Sequence, residues 1–597
     1  MEGMERMKQQ ETDAMDQNSN NIKRRKLKYE SNTFSFLYLI NSFIFLVFFD
    51  KSLLEDLPHE IFYDIFEYFD MYHIYKGFFN LNKRFRNLIT YSSFFHKINI
   101  SIMSKNDFEG FHVNIIIPNR HRIISLRLSN PFIPQIVFSS SRVISQFIHL
   151  EQLVLNNIEM KYLRKILDYL THTILQKLHS LNISIDDSIE SLDILFTDLF
   201  NLSTLKYCEF KYETKTYDVS SFLHVTKYNS SSIEYLIING RFPFKLLNNL
   251  LCCLPKLHYL SINSLVDSYG YIGRHILSSI LLNDLKCVSF KLDNIRFFEV
   301  ETIFKDFFHS IQILRLTTSE YDDYLNAEQW EKLIVSYMPC LRIFDINHTN
   351  PVRCDTSRYH ALINGFDSLF WIERKWFFTY QYDWSKPYGD LLFYSTNPYR
   401  YEIKNVYLNY FPNITQMTIK CCPRTPNGSI TTILDYMIPL KQLKKLTIQC
   451  HDFSFEELIK LLSFAPNLNT LKLKLISVNE NDLKLIQQTE NFQYVSKTNQ
   501  IKHLDLFQLC EFNQIELIIN LFSQLEYLKT GINYKEIRQI KRYLLSKINN
   551  KTRHLFFLCV SGVPKICLKE LNVLIKSENL LNDYCIRFIN RDLYLWW

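Results

Sequence analysis

Leu150-Glu-Gln-Leu-Val-Leu155 sets two leucines one position apart inside a longer leucine frame. The same phrase returns along the chain as Ile123-Ile-Ser-Leu-Arg-Leu128, Leu178-His-Ser-Leu-Asn-Ile183, Leu257-His-Tyr-Leu-Ser-Ile262, Leu443-Lys-Lys-Leu-Thr-Ile448 and Leu468-Asn-Thr-Leu-Lys-Leu473. Taking the first of the two close apolar residues as an anchor places it at 126, 153, 181, 205, 236, 260, 288, 314 and 344, and again at 417, 446, 471, 504 and 528. Most steps are about 24 to 33 residues, the spacing of a repeat. Alternation at period two inside each phrase reads as a short strand. Between phrases lie helical patterns at Tyr162 to Leu170, Phe244 to Leu251, Trp330 to Tyr337, Phe455 to Leu462 and Ile515 to Leu521. Each unit is therefore a strand followed by a helix, and the chain is of the α/β class.

Stacked units of this length resemble leucine-rich repeats, which implies an irregular, curved strand-helix solenoid, a horseshoe with a parallel sheet on its inner side. The resemblance is loose: where that family places an asparagine after the strand, this chain has Pro131, Ile158, Leu265 and Ser319. An ordinary α/β domain with coincidental spacing is the alternative. The array is expected over residues 120–545, with a cap over 546–597. The step from 344 to 417 contains an aromatic-rich insertion at about 365–412, with 17 aromatics between Phe366 and Phe411, among them Trp371, Trp376 and Trp384. Rings in such number suit either a partner surface or a capped core. Because the spacing resumes afterwards, the strands near Phe344 and Met417 are expected to be neighbours in one sheet.

A second stretch, Leu53 to Ile89, reads LLEDLPHEIFYDIFEYFDMYHIYKGFFNLNKRFRNLI. Pro58 suits a helix start and Glu60 its first turn. Ile61, Ile65 and Phe69 fall at i, i+4 and i+8, while Glu60, Asp64 and Glu67 occupy the other face. Asp70 can cap a second helix in which Ile74, Phe78, Leu81, Phe85 and Leu88 recur at helical steps. So short a segment cannot bury this much apolar surface by itself, so part of it faces a partner.

The Leu-Pro at 57 and 58, Glu60-Ile61, Ile65-Phe66, Tyr68-Phe69 and Leu81-Asn-Lys-Arg-Phe85 resemble the F-box in order and spacing. Asn82 departs from that pattern, which favours a small residue or cysteine, and Gly77 weakens the second helix. The resemblance implies an F-box at residues 53–99 that binds a Skp-type adaptor, and through it the cullin scaffold of a ubiquitin ligase. The adaptor-binding residues it implies are Leu57, Pro58, Ile61, Ile65, Phe66, Phe69, Phe78 and Phe85. An amphipathic hairpin belonging to a larger core is the structural alternative.

The 597 residues carry 68 basic and 61 acidic side chains, a net charge of +7. Such a balance gives no general case for nucleic acid. The 13 cysteines begin at Cys208 and form no C-x-x-C, which reads as free thiols in a reducing compartment, with a cytoplasmic or nuclear location expected. Residues 1–33 form a polar tail, expected to be disordered, with the basic run Lys23 to Lys28, a nuclear-import signal or a solvated charge run. Phe34 to Phe49 is almost unbroken apolar sequence, short of the usual membrane span of about 20 residues. It reads as a membrane segment, as a core element, or as a stretch outside the mature protein. A membrane anchor here would place the F-box across the bilayer from any adaptor.

Eleven glycines form no phosphate loop, dinucleotide fingerprint or nucleophile elbow, and the histidines and cysteines form no metal motif. No enzyme activity, cofactor or metal is expected. The leading expectation is a substrate-recognition subunit, with the repeat array presenting an unidentified protein target. Outward strand positions are the candidate contacts: Arg127, Asn182, Ser261, Arg315, Asp345, Thr447, Lys472 and Asp505. The alternatives are a nuclear nucleic-acid-binding scaffold and a membrane-tethered interaction protein.

Overall fold

The computed structural model describes residues 57–66, 69–91, 96–100, 103–172, 177–188, 192–213, 231–267, 282–351, 356–383, 390–396, 414–419, 434, 439–449, 453–474, 483–533, 536–546 and 550–597. The chain divides into two units, one reaching Asn99 and including Val113–Leu126, the other comprising Ile100–His112 and Arg127–Trp597. The division falls within strands β1 (His96–Ile100) and β2 (Ile123–Leu128). Phe34 to Phe49 and the basic run lie outside the described residues. Among the described residues no helix is long and apolar enough to cross a membrane.

In the first unit, helices α1 (His59–Phe66), α2 (Met71–Phe78) and α3 (Lys83–Tyr91) pack around Phe62, Phe85 and Leu88. Asp70 caps α2 as expected, its carboxylate accepting from His73 N at 3.0 Å. The expected single second helix is two helices. Asn82 Oδ1 accepts from Phe85 N at 3.0 Å, starting α3 afresh and ending the continuous period that its apolar residues suggested.

The second unit is α/β, with helices and two mostly parallel sheets. In the first, β3 (Gln152–Ile158), β4 (Ser180–Ser188), β5 (Tyr207–Glu213), β6 (Tyr235–Asn239), β8 (Tyr259–Val266), β9 (Cys287–Asp293), β10 (Ile313–Ser319) and β11 (Ile343–Pro351) lie parallel in chain order, with the two-residue β7 (Phe242–Pro243) beside β8. One register row reads Leu153, Leu181, Cys208, Leu236, Leu260, Val288, Leu314 and Phe344. Every member is buried at 3% exposure or less, so the repeating anchor is a continuous apolar spine. Leu205 is not in it. Leu205 precedes β5, and Cys208 holds the anchor place, so the expected anchor there is displaced by three residues.

Phe344 and Met417 are not neighbours. The edge of β11 is taken by β13 (Asp390–Ser395), followed by β12 (Phe378–Asp383), both antiparallel. A second sheet starts at β14 (Gln416–Ile419) and continues through β15 (Lys445–Ile448), β16 (Thr470–Leu473), β17 (His503–Cys510), β18 (Tyr527–Ile532) and β19 (Phe557–Ser561). Its spine is Met417, Leu446, Leu471, Leu504, Leu528 and Leu558, within a core cluster of its own. The aromatic segment therefore ends one sheet. Phe366, Trp371 and Phe393 are buried at 3%, 0% and 0%, with Trp371 5.8 Å from Phe344 and 4.9 Å from Phe366. Most rings of this segment whose placement is described fill a cap core, while Phe377 and Tyr380 stay exposed. Parallel strands also continue past residue 545, to β19, before the antiparallel β21 (Asp592–Trp596) and β20 (Cys585–Ile589).

Within this unit the last elements lie against the first. Trp596 Nε1 donates to Met103 O at 2.9 Å, and the Trp596 ring stacks on Phe132 at 5.7 Å. Arg587 donates to Pro131 O at 2.8 Å, hydrogen-bonds Gln135, and lies over the Phe132 ring.

Candidate protein-docking sites

In the helical unit the side chains split into a core and a surface. Phe62 and Phe85 are 0% and 1% exposed and meet edge to face at 4.8 Å. Leu57, Tyr63, Phe66 and Phe78 pack partly against them. Arg84 binds this arrangement together: Nη2 donates to Leu57 O, Nε donates to His59 Nε2 at 3.1 Å, and the guanidinium lies 5.7 Å from the Phe62 ring centre. The chain entering α1 is thus tied to α3 at the Leu57-Pro58 step.

Of the eight residues assigned to adaptor binding, Pro58 and Ile61 are exposed, and Leu57, Ile65, Phe66, Phe69 and Phe78 are half-buried. Phe85 is a core residue, and its place in the expected contact set is corrected to a packing role. Ile61 and Ile65, one turn apart, leave apolar surface on α1 away from Phe62, and Ile61 is 42% exposed. His59 and His73 have structural partners in Arg84 and Asp70.

The second unit presents a polar face opposite its buried spine. Asn182, Ser261, Arg315 and Asp345, chosen from sequence, fall on one register row, joined by Glu209 and Ser289, which the sequence reading did not single out. Thr447, Lys472 and Asp505 share the corresponding row of the second sheet with Lys529. Arg127 is exposed on β2. Glu209 was missed because the anchor before it was placed at Leu205; alternation counted from Cys208 finds it.

Other residues of the two sheets supply partners for several of these groups. Glu209 accepts from Asn182 at 2.8 Å, from Asn239 at 2.9 Å and from Tyr207 at 3.0 Å. Ser395 Oγ donates to Asp345 at 2.5 Å, Lys472 pairs with Asp505 at 3.0 Å, and Lys529 with Asp592 at 2.9 Å. Burial disfavours charge on Lys529, yet the Cys559 and Asp592 groups beside it hold its pKa above the ordinary lysine value. His503 is pushed down to about 4 by burial, with Lys502 and Lys472 adding to the effect, so it is neutral near pH 7. Such pairs fix side-chain positions before any partner arrives. Among the described residues the polar face contains both signs of charge and no continuous basic stripe.

Among the described residues no three metal-ligating side chains come together. Asp322 begins a short helical turn and hydrogen-bonds Asn350, a structural use of the acidic pair at 322 and 323. The side chains of Asp186 and Asp187 lie outside the described residues. Compared with known proteins, the chain matches no family model and no curated relative.

Proposed function

We propose that this protein is a substrate-recognition subunit of a cullin-RING ubiquitin ligase, with α1 to α3 docking a Skp-type adaptor in the manner of an F-box and the parallel strand-helix array, leucine-rich-repeat-like, holding a protein target. The observation that carries the reading is the division of labour on α1. Phe62 completes a core with Phe85 and Leu88, while Pro58, Ile61 and Ile65 remain at the surface beside the ordered Leu57-Pro58 entry. Apolar groups held in place and left out of the core are what a protein partner buries. The chain itself then supplies no covalent chemistry, and its action is to bring target and ligase together.

Capture of the recombinant Skp-type adaptor by the full chain tests this. Pro58→Ala combined with Ile61→Asp is expected to weaken capture by tenfold or more, since a desolvated large apolar side chain contributes about 1.5–3 kcal/mol. The thermal midpoint should stay unchanged, because neither residue is in the core. A folded double mutant that captures adaptor as well as the parent defeats the proposal.

A further inference from the structure

Inside the second unit the polar faces of the two sheets approach each other. Ser129, just past β2, and Asn157, near the end of β3, form one side of a cavity of about 240 Å³, and Thr470, Lys472, His503 and Tyr527 of β16 to β18 form the other. The rings of His503, Tyr527 and Phe557 stack in succession at 5.9 and 5.1 Å, and with Met103 they give the cavity an apolar wall. Its volume falls below the roughly 300–1,000 Å³ of sites for drug-sized ligands and suits a single side chain.

Cations gather at the border of this cavity. Lys445 is the register partner of Thr470 and lies on the same face. It is half-buried and makes no hydrogen bond or ion pair among the described residues. Burial, then the charges of Lys472 and Lys211, holds its pKa below the ordinary lysine value, and no carboxylate acts against them. Lys211 reaches it from β5 of the first sheet, where it is exposed and likewise has no ion pair among the described residues. Glu209 and Glu213 flank Lys211 on its strand; Glu209 is held by Asn182, Asn239 and Tyr207. Lys472 pairs with Asp505, leaving its own side chain 36% exposed. Three ammonium groups from two sheets thus share one ion-paired carboxylate. Like charges in a partly buried place cost stability unless an anion joins them, and all three keep surface that an incoming group reaches. A carboxylate suits the place better than a phosphate, because the Asp505 charge repels a dianion about twice as strongly as a monoanion.

We propose that this place between the sheets receives an acidic residue and an adjoining large apolar residue of the target protein, the carboxylate between Lys211 and Lys445 and the apolar side chain in the cavity against Tyr527 and Met103. The proposal rests on the target-recognition reading above and names the chemistry of the target segment. Lys445 and Thr470 stand on neighbouring strands about 4.8 Å apart, little more than the rise of about 3.3 Å per extended residue, so consecutive residues of one segment serve both points.

Fluorescein-labelled peptides titrated onto the full chain by fluorescence anisotropy test this. Their central triplet is Phe-Glu-Phe, Phe-Gln-Phe, Ser-Glu-Ser or Phe-phosphoserine-Phe within a Gly-Ser sequence. Phe-Glu-Phe is expected to bind about tenfold more tightly than the other three. Lys445→Gln should bring it down to the level of Phe-Gln-Phe, and Thr470→Leu, which fills the cavity, to that of Ser-Glu-Ser. Circular dichroism melts establish that the variants are folded; Lys211→Gln and Ser129→Leu carry the same two expectations where Lys445→Gln or Thr470→Leu is not. Equal binding of Phe-Glu-Phe and Phe-Gln-Phe, tighter binding of the phosphoserine peptide or of oligothymidylate, or a glutamate preference that survives in the folded lysine variant overturns the proposal. Adaptor capture measured on the same preparations separates the two claims. Lost capture by the parent chain with the peptide preference intact overturns the adaptor reading and supports the acidic-apolar site; normal capture with no preference overturns the site alone.

Discussion

Two glycines show how one substitution changes sign with its surroundings. Gly77 lies in the last turn of α2, and a Cβ there would meet nothing within 4 Å. Gly77→Ala is expected to stabilise the helical unit by about 0.5–1 kcal/mol, read from a urea melt. Gly531 faces the irregular stretch of β17 between Asp505 and Leu509, where a Cβ would stand 2.7 Å from Gln508 O. Backbone cannot yield there as a flexible side chain does, so Gly531→Ala should cost about 1–3 kcal/mol in the same assay. Two histidines, one buried and one half-buried, carry a pH dependence. His348 is fully buried against Thr318, and its burial pushes its pKa down to about 4, as burial and two lysines do for His503. The unfolded chain, near 6.5, binds these protons more readily, so stability is full above pH 6.5 and is lost as pH falls toward 4. The loss at pH 4 is about 3 kcal/mol for a fully buried imidazole. His348→Gln should flatten the fall of the thermal midpoint between pH 7 and 4.5.

At the scale of elements, the spine of each sheet was legible because strand alternation and repeat spacing are local and recur. Leu153, Leu181, Leu236 and Leu260 are found by counting, and the register pairs them. Leu205 failed because its flanks mimic the phrase while the strand begins two residues later, with a cysteine as its buried member. The break at Asn82 was equally hidden: apolar residues keep helical steps across it, and only the side-chain cap on Phe85 N separates α2 from α3. Asn82→Ala should cost about 1 kcal/mol and weaken adaptor capture through α3 without touching the exposed patch. The aromatic segment was seen as a group, but composition does not tell a surface from a cap. Packing decides, with Trp371 enclosed by Phe344, Phe366, Phe370 and Trp376. Trp371→Ala is expected to cost about 3–5 kcal/mol in a denaturant melt, as a core aromatic does.

For the molecule as a whole, the α/β class and the helical unit before it were readable, whereas the division into two sheets was not. Repeat spacing resumes after residue 412 whether the next strand joins the old sheet or begins a new one, so periodicity alone is blind to the choice. The meeting of Trp596 with Met103 and of Arg587 with Pro131 joins residues far apart in sequence, and no local pattern records such a pairing. That meeting has a consequence for how the second unit opens. A row of stacked units whose two ends are free loses structure from those ends inward, and its terminal amides exchange with deuterium soonest. Here β21 lies between β19 and β20 and is covered by residues 103–105 and Phe132, so amides of Leu593 to Trp596 should exchange as slowly as those of Val288 to Leu292 in mid-sheet. Arg587→Ala with Trp596→Ala, by parting the two, should restore early exchange at β21 and at residues 103–111 together, while β9 keeps its protection.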